Sequence, residues 1–161
     1  MKIRATQPID LPFVLAAENH ADNAPYITQC PKSWHEMAIA SADCAHCVIE
    51  SQQLAGYLIL TGIQNPHDSL EIRRIVVTQK GQGYGREILR WIKTYAFEHL
   101  GHHRLWLDVL ESNHRAKRLY ESEGFVAEGI VRESFKTKTG YQSMVLMSIL
   151  ASEYTPKPAS D

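Results

Sequence analysis

The stretch VVTQKGQGYGREIL, residues 76–89, joins a β-branched apolar run to an amphipathic helical pattern through three glycines at alternate positions, Gly81, Gly83 and Gly85. A strand ending there delivers the chain to the first turn of a helix. At that point backbone N–H groups lack intrahelical acceptors and the positive end of the helix dipole gathers. Such a terminus attracts phosphate. Glycine lets amides approach an anion closely and permits positive φ, and Lys80 and Arg86 flank the turn with positive charge. Two familiar phosphate-binding turns fail on spacing. A dinucleotide fingerprint needs G-x-G-x-x-G, yet the third glycine falls one place early, at Gly85, and the Gly-Lys-Ser/Thr of a P-loop is absent. What remains is a phosphate-holding turn of another kind, or three glycines that merely tighten a strand-to-helix connection.

The strand feeding this turn is LEIRRIVV, residues 70–77. Leu70 and Ile72 share one parity and Ile75 and Val77 the other, so either both faces are covered or a β-bulge re-aims the strand across Arg73-Arg74. A bulge would splay the strand from its neighbour and expose backbone groups that a ligand can take up. Before it come a strand at 2–5 and a helix at 9–19, opened by Pro8 and Asp10 with Pro12 in its first turn. A turn-rich loop, HADNAPYITQCPK, leads to a helix from Ser33 to near Ala42, with Ser33 and Glu36 spaced as a capping box. Strands at 44–50 and 54–62, separated by SQQ, read as an antiparallel hairpin.

After the turn, Ile88, Ile92, Tyr95, Ala96 and His99 recur at helical spacing over 85–100, with Gly101 as the stop. HRLWLDVL (103–110) reads as a strand, NHRAKRLYESEG as a helix over 113–123 ended by Gly124, and 125–135 with 142–150 as a hairpin around KTKTG. Strand, helix, strand in sequence implies a right-handed parallel crossover with helices covering the sheet. The expected fold class is therefore α/β, of the α+β kind. It has a mixed, mostly antiparallel central sheet, splayed between strands 4 and 5, with helices on both faces.

A length of 161 residues fits one domain, taken as 1–150, with a polar, Pro-containing tail at 151–161 expected to fray. A formal net charge of -1 supplies no global field for nucleic acid or anionic lipid, so any anion site must be local. No window approaches the roughly 18 consecutive apolar residues of a membrane span, and MKIRATQPID lacks the apolar core of a signal peptide. The expectation is a cytoplasmic protein, monomer or homodimer, with neither nucleic-acid nor membrane partners. Cys30, Cys44 and Cys47 are odd in number and read as reduced thiols. CAHC, with His46 inside it, has the spacing of a zinc half-site or redox pair. No second ligand pair accompanies it, so no metal site is assigned.

Two motifs in order carry a family resemblance. KGQGYG fits the pyrophosphate loop Arg/Gln-x-x-Gly-x-Gly/Ala of the GNAT superfamily of acetyl-CoA-dependent N-acetyltransferases, with Gly83 and Gly85 in the glycine places and Lys80 where arginine or glutamine is usual. LWLDVLESNHRAKRLYESEGFVAEG is similar to the family's second cofactor segment, with Asn113, Ala116 and Tyr120 in the N-x-x-A-x-x-x-Y arrangement. The chain is similar to the branch containing ribosomal-protein N-terminal and spermidine acetyltransferases.

The resemblance implies acetyl-CoA as cosubstrate. It would be held by Ile75, Val76 and Val77, by the turn Lys80, Gly81, Gln82, Gly83, Tyr84, Gly85 and Arg86, and by Asn113, Ala116 and Lys117. Asn113 and Tyr120 lie two helical turns apart, on one face and roughly 10 Å from each other, and the small Ala116 between them leaves a channel for a pantetheine arm. Without the glycine turn, Asn113 would read as an N-cap and Tyr120 as a core aromatic.

Acetyl transfer from a thioester requires that the amine lose a proton and that the thiolate be stabilised or protonated. The resemblance gives Tyr120 the second role, for which a phenol pKa near 10 is suited. Glu71, on the strand before the bulge, would be the base, directly or through water; equally it reads as a solvated residue or a partner of Arg73. His20 and His35 are alternative bases. The resemblance further implies direct attack in a ternary complex, with backbone N–H groups near residues 75–77 meeting the oxyanion. The acceptor, by the resemblance a protein N-terminus, a polyamine or another small amine, would enter between the loop at 20–32 and the turn at 136–141, with Glu18, Asp22 and Asp43 able to attract a cation. A non-catalytic acyl-CoA-binding regulatory module is the alternative.

Overall fold

Hydrophobic alternation and turn chemistry set the elements of the computed structural model, which describes residues 1–156. They fall into two units, one of Met1–Pro66 with Glu71–Gly85 and one of His67–Leu70 with the chain from Arg86 onward.

In the first unit, β1 (Lys2–Ala5) leads through a 3-10 turn into α1 (Leu11–Asn19), and α2 (Lys32–Ala40) follows the loop. The hairpin β2 (Cys44–Glu50) and β3 (Leu54–Thr61) comes next, then β4 (Ser69–Val77, counted here from Glu71). β1, β2, β3 and β4 pair antiparallel in that order. Pro8 enters the turn before α1 as expected, but Asp10 does not cap the helix with its side chain. Its carboxylate accepts Arg4 Nη1 at 2.7 Å and the Gln7 N–H at 2.8 Å. The capping box expected at Ser33 and Glu36 does not form. The helix begins one residue earlier, with Pro31 as N-cap at φ -69, so Ser33 already lies inside the first turn.

The parity switch in β4 is a bulge. Arg74 stands opposite Ile59 and Ile72 opposite Leu60, which leaves Arg73 as the extra residue. Because successive β3 residues face opposite sides, Ile72 and Arg74 are both buried yet point to different faces. Val76, Tyr57, Ile59 and Val48 pack with Val14 and Ala17 of α1 in one buried cluster. Gly56 permits that pairing, since a Cβ there would sit 2.3 Å from the Val76 carbonyl oxygen.

In the second unit, α3 (Tyr84–Thr94, counted here from Arg86) buries Ile88, Leu89 and Ile92 and runs on as a π-turn over Tyr95–His99. Gly101, at φ 68, ends it as expected. β5 (Arg104–Leu110), α4 (His114–Ser122), β6 (Val126–Thr137) and β7 (Gly140–Leu150) follow. β7 pairs antiparallel with both β5 and β6.

Glu123 anchors this unit. Its buried carboxylate accepts Arg86 Nη1 at 2.7 Å and Lys93 Nζ at 2.9 Å, with Arg90 Nε 3.6 Å away, and Lys93 also caps the Glu123 carbonyl at 2.8 Å. Burial alone would raise the pKa of Glu123. The three cations, Lys93 foremost, lower it instead.

The tail expected to fray is partly docked. Ala151–Glu153 form a 3-10 turn, the Tyr154 ring lies 5.1 Å from Phe97, and its hydroxyl meets Thr94 and Glu98. An aromatic ring has apolar area to bury, which the polar composition of the tail obscured. The rest of the tail, 157–161, lies outside the described residues. Among the described residues no helix is long and apolar enough to cross a membrane.

Candidate active site

The expected site residues divide between the two units. In the first, Ile75, Val76 and Val77 stand opposite Leu58, Tyr57 and Gly56 of β3, and Thr78 N–H closes the strand on the Ala55 carbonyl at 2.9 Å. The chain then turns through Gly81 at φ 86 and Gly83 at φ 80 into the first turn of α3. These are left-handed conformations that an L side chain adopts only at a cost, and a Cβ at either glycine would meet nothing within 4 Å. The turn is thus open on its outer side and leads into a helix N-terminus, where backbone amides lack intrahelical acceptors, a setting that suits a diphosphate. Gly85 sits in the first turn of α3, where the helical spacing began, and is outside the positive-φ glycines.

Neither flanking cation points at the turn as a loose charge. Lys80 Nζ donates to the Asp22 carbonyl at 2.8 Å and lies 3.9 Å from its carboxylate. Arg86 is held by Glu123 and by Ser122 Oγ at 3.2 Å. Tyr84 donates its hydroxyl to Ser51 Oγ at 3.0 Å, beside a polar hollow of about 450 Å³ lined by Ser51, Gln52, Gln53, Gln79 and Gln82.

Glu71 is half-buried. Thr61 Oγ1 donates to its Oε2 at 2.6 Å and Arg73 Nη1 lies 3.4 Å from its Oε1, so the pairing with Arg73 foreseen as an alternative is present. That contact is long and Arg73 is exposed, so the pairing is weak.

In the second unit, Asn113 caps α4, its Oδ1 accepting the Ala116 N–H at 3.2 Å, so its amide NH₂ is the end left to donate. Ala116 and Lys117 are half-buried on the same helix. Tyr120 is also half-buried, tilted 60° against Phe125 at 5.8 Å. Burial, with Asp108 adding to it, pushes its phenol up to about 12. The phenol expected near 10 therefore stays protonated to higher pH and gives up its proton less readily, because desolvation opposes the phenolate.

Two expectations on the acceptor side, for Glu18 and His35, are corrected, while Asp22 and Asp43 stay exposed. Glu18 is fully buried and receives the Tyr57 hydroxyl, the Arg74 guanidinium and the Cys30 N–H, so it cannot attract a cation from solvent. Asp43 accepts the Gln64 N–H at 2.7 Å. Asp22 is tied to Lys80. His35, fully buried with Nδ1 3.0 Å from His46 Nε2, is out of reach of a substrate.

CAHC offers no converging ligands. Strand alternation puts Cys44 and Cys47 on opposite faces, and burial pushes both thiols up to about 11, contrary to what metal binding or redox work requires. Sequence reasoning missed Arg74 and Tyr57 as members of the Glu18 network and Glu123 as the partner of Arg86. An arginine inside an apolar strand was the available signal.

With this geometry in hand, comparison with known proteins places the chain in a class. Residues 11–125 match the Acetyltransferase (GNAT) family, and the chain belongs to that family. N-acetyl transfer from acetyl-CoA is the chemistry of the family. The chain is 36% identical, over 110 residues, to a spermidine N(1)-acetyltransferase of Vibrio cholerae serotype O1, a match spanning 66% of this chain and 64% of that enzyme's length.

Among solved structures, a spermidine N-acetyltransferase from Vibrio cholerae in complex with CoA and spermine aligns at a TM-score of 0.85 and 28% identity, covering 94% of this chain and 96% of that one. A dodecameric form of the Vibrio cholerae enzyme aligns at 0.81 and 28%, covering 95% of each chain. The mixed, mostly antiparallel α/β fold expected from the sequence is the fold of these proteins.

Proposed function

We propose that this chain is an N-acetyltransferase that moves the acetyl group of acetyl-CoA to a primary amine, with a polyamine as the acceptor. The observation that carries this reading is the turn with Gly81 and Gly83 at positive φ opening the N-terminus of α3, in a chain of the GNAT family. The similarity to spermidine acetyltransferases supports the polyamine.

In this reading the backbone of residues 81–86 holds the diphosphate, and Lys80 exchanges its Asp22 contact for a phosphate oxygen. Asn113 donates its amide NH₂ to the pantetheine arm. Glu71 takes the amine proton, directly or through water, the N–C bond forms as the C–S bond breaks, and Tyr120 gives its hydroxyl proton to the departing thiolate. The attack is direct, in a ternary complex; the burial-raised thiols of Cys44 and Cys47 are poor nucleophiles for an acyl-enzyme.

The relative's dodecamer supports an assembly larger than the monomer or homodimer expected from the sequence. Sedimentation equilibrium of the purified chain tests it.

The test of function is thiol release from acetyl-CoA with spermidine, spermine, short peptides bearing a free N-terminus and small monoamines. Turnover with the polyamines supports the reading, and turnover with peptides alone moves the acceptor to a protein N-terminus. Binding of CoA without thiol release on any amine replaces the enzyme by a cofactor-sensing module.

A further inference from the structure

Three cations of α3 meet one carboxylate. Arg86, Arg90 and Lys93 follow the i, i+4, i+7 spacing that puts side chains on one face of a helix, and all three turn to Glu123. Two of them divide its buried oxygens: Arg86 Nη1 donates to Oε1 at 2.7 Å and Lys93 Nζ to Oε2 at 2.9 Å. Arg86 also donates to Ser122 Oγ at 3.2 Å, and Lys93 to the Glu123 carbonyl at 2.8 Å.

Arg90 is left over. Its Nε is closed off from solvent, 3.6 Å from Glu123 Oε2 and without a hydrogen-bond partner, while 41% of the side chain's surface is exposed. Its terminal nitrogens, which make no hydrogen bond among the described residues, are the part open to solvent. Three cations against one anion leave a surplus of two positive charges, and among the described residues no other carboxylate pairs with them.

A guanidinium offers N–H donors in a planar fork that matches two oxygens of a phosphate. A phosphomonoester carries about -1.5 to -2 near pH 7, which balances this surplus, whereas a carboxylate balances half of it. Arg90 lies one helical turn, about 5.4 Å, beyond Arg86 on the helix that the glycine turn opens. Coenzyme A carries on one ribose both its diphosphate, at the 5′ carbon, and a phosphomonoester, at the 3′ carbon. A single sugar separates the two, a span of about one such turn.

We propose that Arg90, carried on Glu123 beside Arg86, binds the 3′-phosphate of the cosubstrate. The contact rests on acetyl-CoA being held at the glycine turn, and it makes the affinity depend on a group remote from the thioester.

Calorimetric titration of CoA and of 3′-dephospho-CoA into the parent, Arg90→Gln, Arg90→Lys and Arg118→Gln tests it. Arg118 is an exposed cation of α4 and serves as the control for general attraction of anions. The parent should bind CoA about tenfold more tightly than 3′-dephospho-CoA. Arg90→Gln should lose that preference through weaker CoA binding alone. Its Kd for 3′-dephospho-CoA should stay within about twofold of the parent's, which also shows the variant to be folded. Arg90→Lys, which keeps the charge without the fork, should fall between the two, and Arg118→Gln should keep the parent's preference.

Equal affinity of the parent for the two nucleotides overturns the proposal. So does an Arg90→Gln variant that keeps the preference or weakens both nucleotides alike. A parent that binds neither nucleotide sinks the cosubstrate site at the glycine turn, and this contact with it.

Discussion

Tyr120 illustrates what a single side chain gains from its surroundings. On a helix surface it would titrate near its ordinary value; half-buried against Phe125, it is held in the protonated form up to about 12. The sign is that of a raised acid: the donor is fully present below pH 10 and is lost only as pH rises through about 12. Replacement by phenylalanine should lower kcat by about a hundredfold with acetyl-CoA affinity intact, and the parent's pH–rate profile should lack a basic limb from this group below about pH 11. Single-turnover kinetics and calorimetry check the two halves separately. Glu71→Gln should likewise cut kcat by about a hundredfold near neutral pH; an unchanged rate would leave it as the partner of Thr61 and Arg73 only. Asn113 and Tyr120 were singled out through the family motif; locally Asn113 is the N-cap of α4 and Tyr120 packs on Phe125. The destination of Arg86 was not legible, since Glu123 lies 37 positions away in the chain.

The elements were legible where the pattern is local. The parity switch across Arg73-Arg74 offered a bulge as one of two readings, and the glycines gave the strand-to-helix turn. The capping box at Ser33 failed because Pro31 started the helix one residue sooner, a competition between two valid start signals. Two glycines separate packing from backbone conformation. At Gly56 a methyl group would lie 2.3 Å from the Val76 carbonyl oxygen, so Gly56→Ala should force β3 from β4 and cost about 3 kcal/mol, read as a shift in the urea midpoint. At Gly83, where nothing crowds the methyl group, the cost is the positive φ, about 1–2 kcal/mol, and the larger effect should be on function. Gly83→Ala should weaken acetyl-CoA binding by about tenfold in calorimetry, because the turn can no longer present its amides at the helix terminus.

Stability of the whole molecule should fall in acid through groups that the first unit buries. Burial, with the charge of His35 adding to it, lowers the His46 pKa from 6.5 to about 4. The unfolded chain binds that proton first, so stability is lost as pH falls from 6.5 toward 4, by on the order of 3 kcal/mol. Glu18 extends the loss at lower pH, since its pKa is 4.5 in the unfolded chain and about 2 in the folded one. Urea unfolding at pH 7 and 4.5 should show the decline, and His46→Gln should flatten it between those values. A parent whose midpoint is indifferent to pH over that range would contradict the buried, neutral state of His46.

The sequence by itself determined the order of strands and helices and the glycine turn, and it narrowed the irregularity of β4 to two readings, one of them the bulge. These follow from periodicity and turn chemistry, which act over a few neighbouring residues. Only the tertiary structure decided where the charges go: Glu18 into the core with Arg74, Lys80 to Asp22, Arg86 to Glu123, and His35 to His46 away from solvent. A charged side chain ends where a partner and its desolvation balance, and that partner comes from whichever distant segment the packing of the apolar faces has brought within reach.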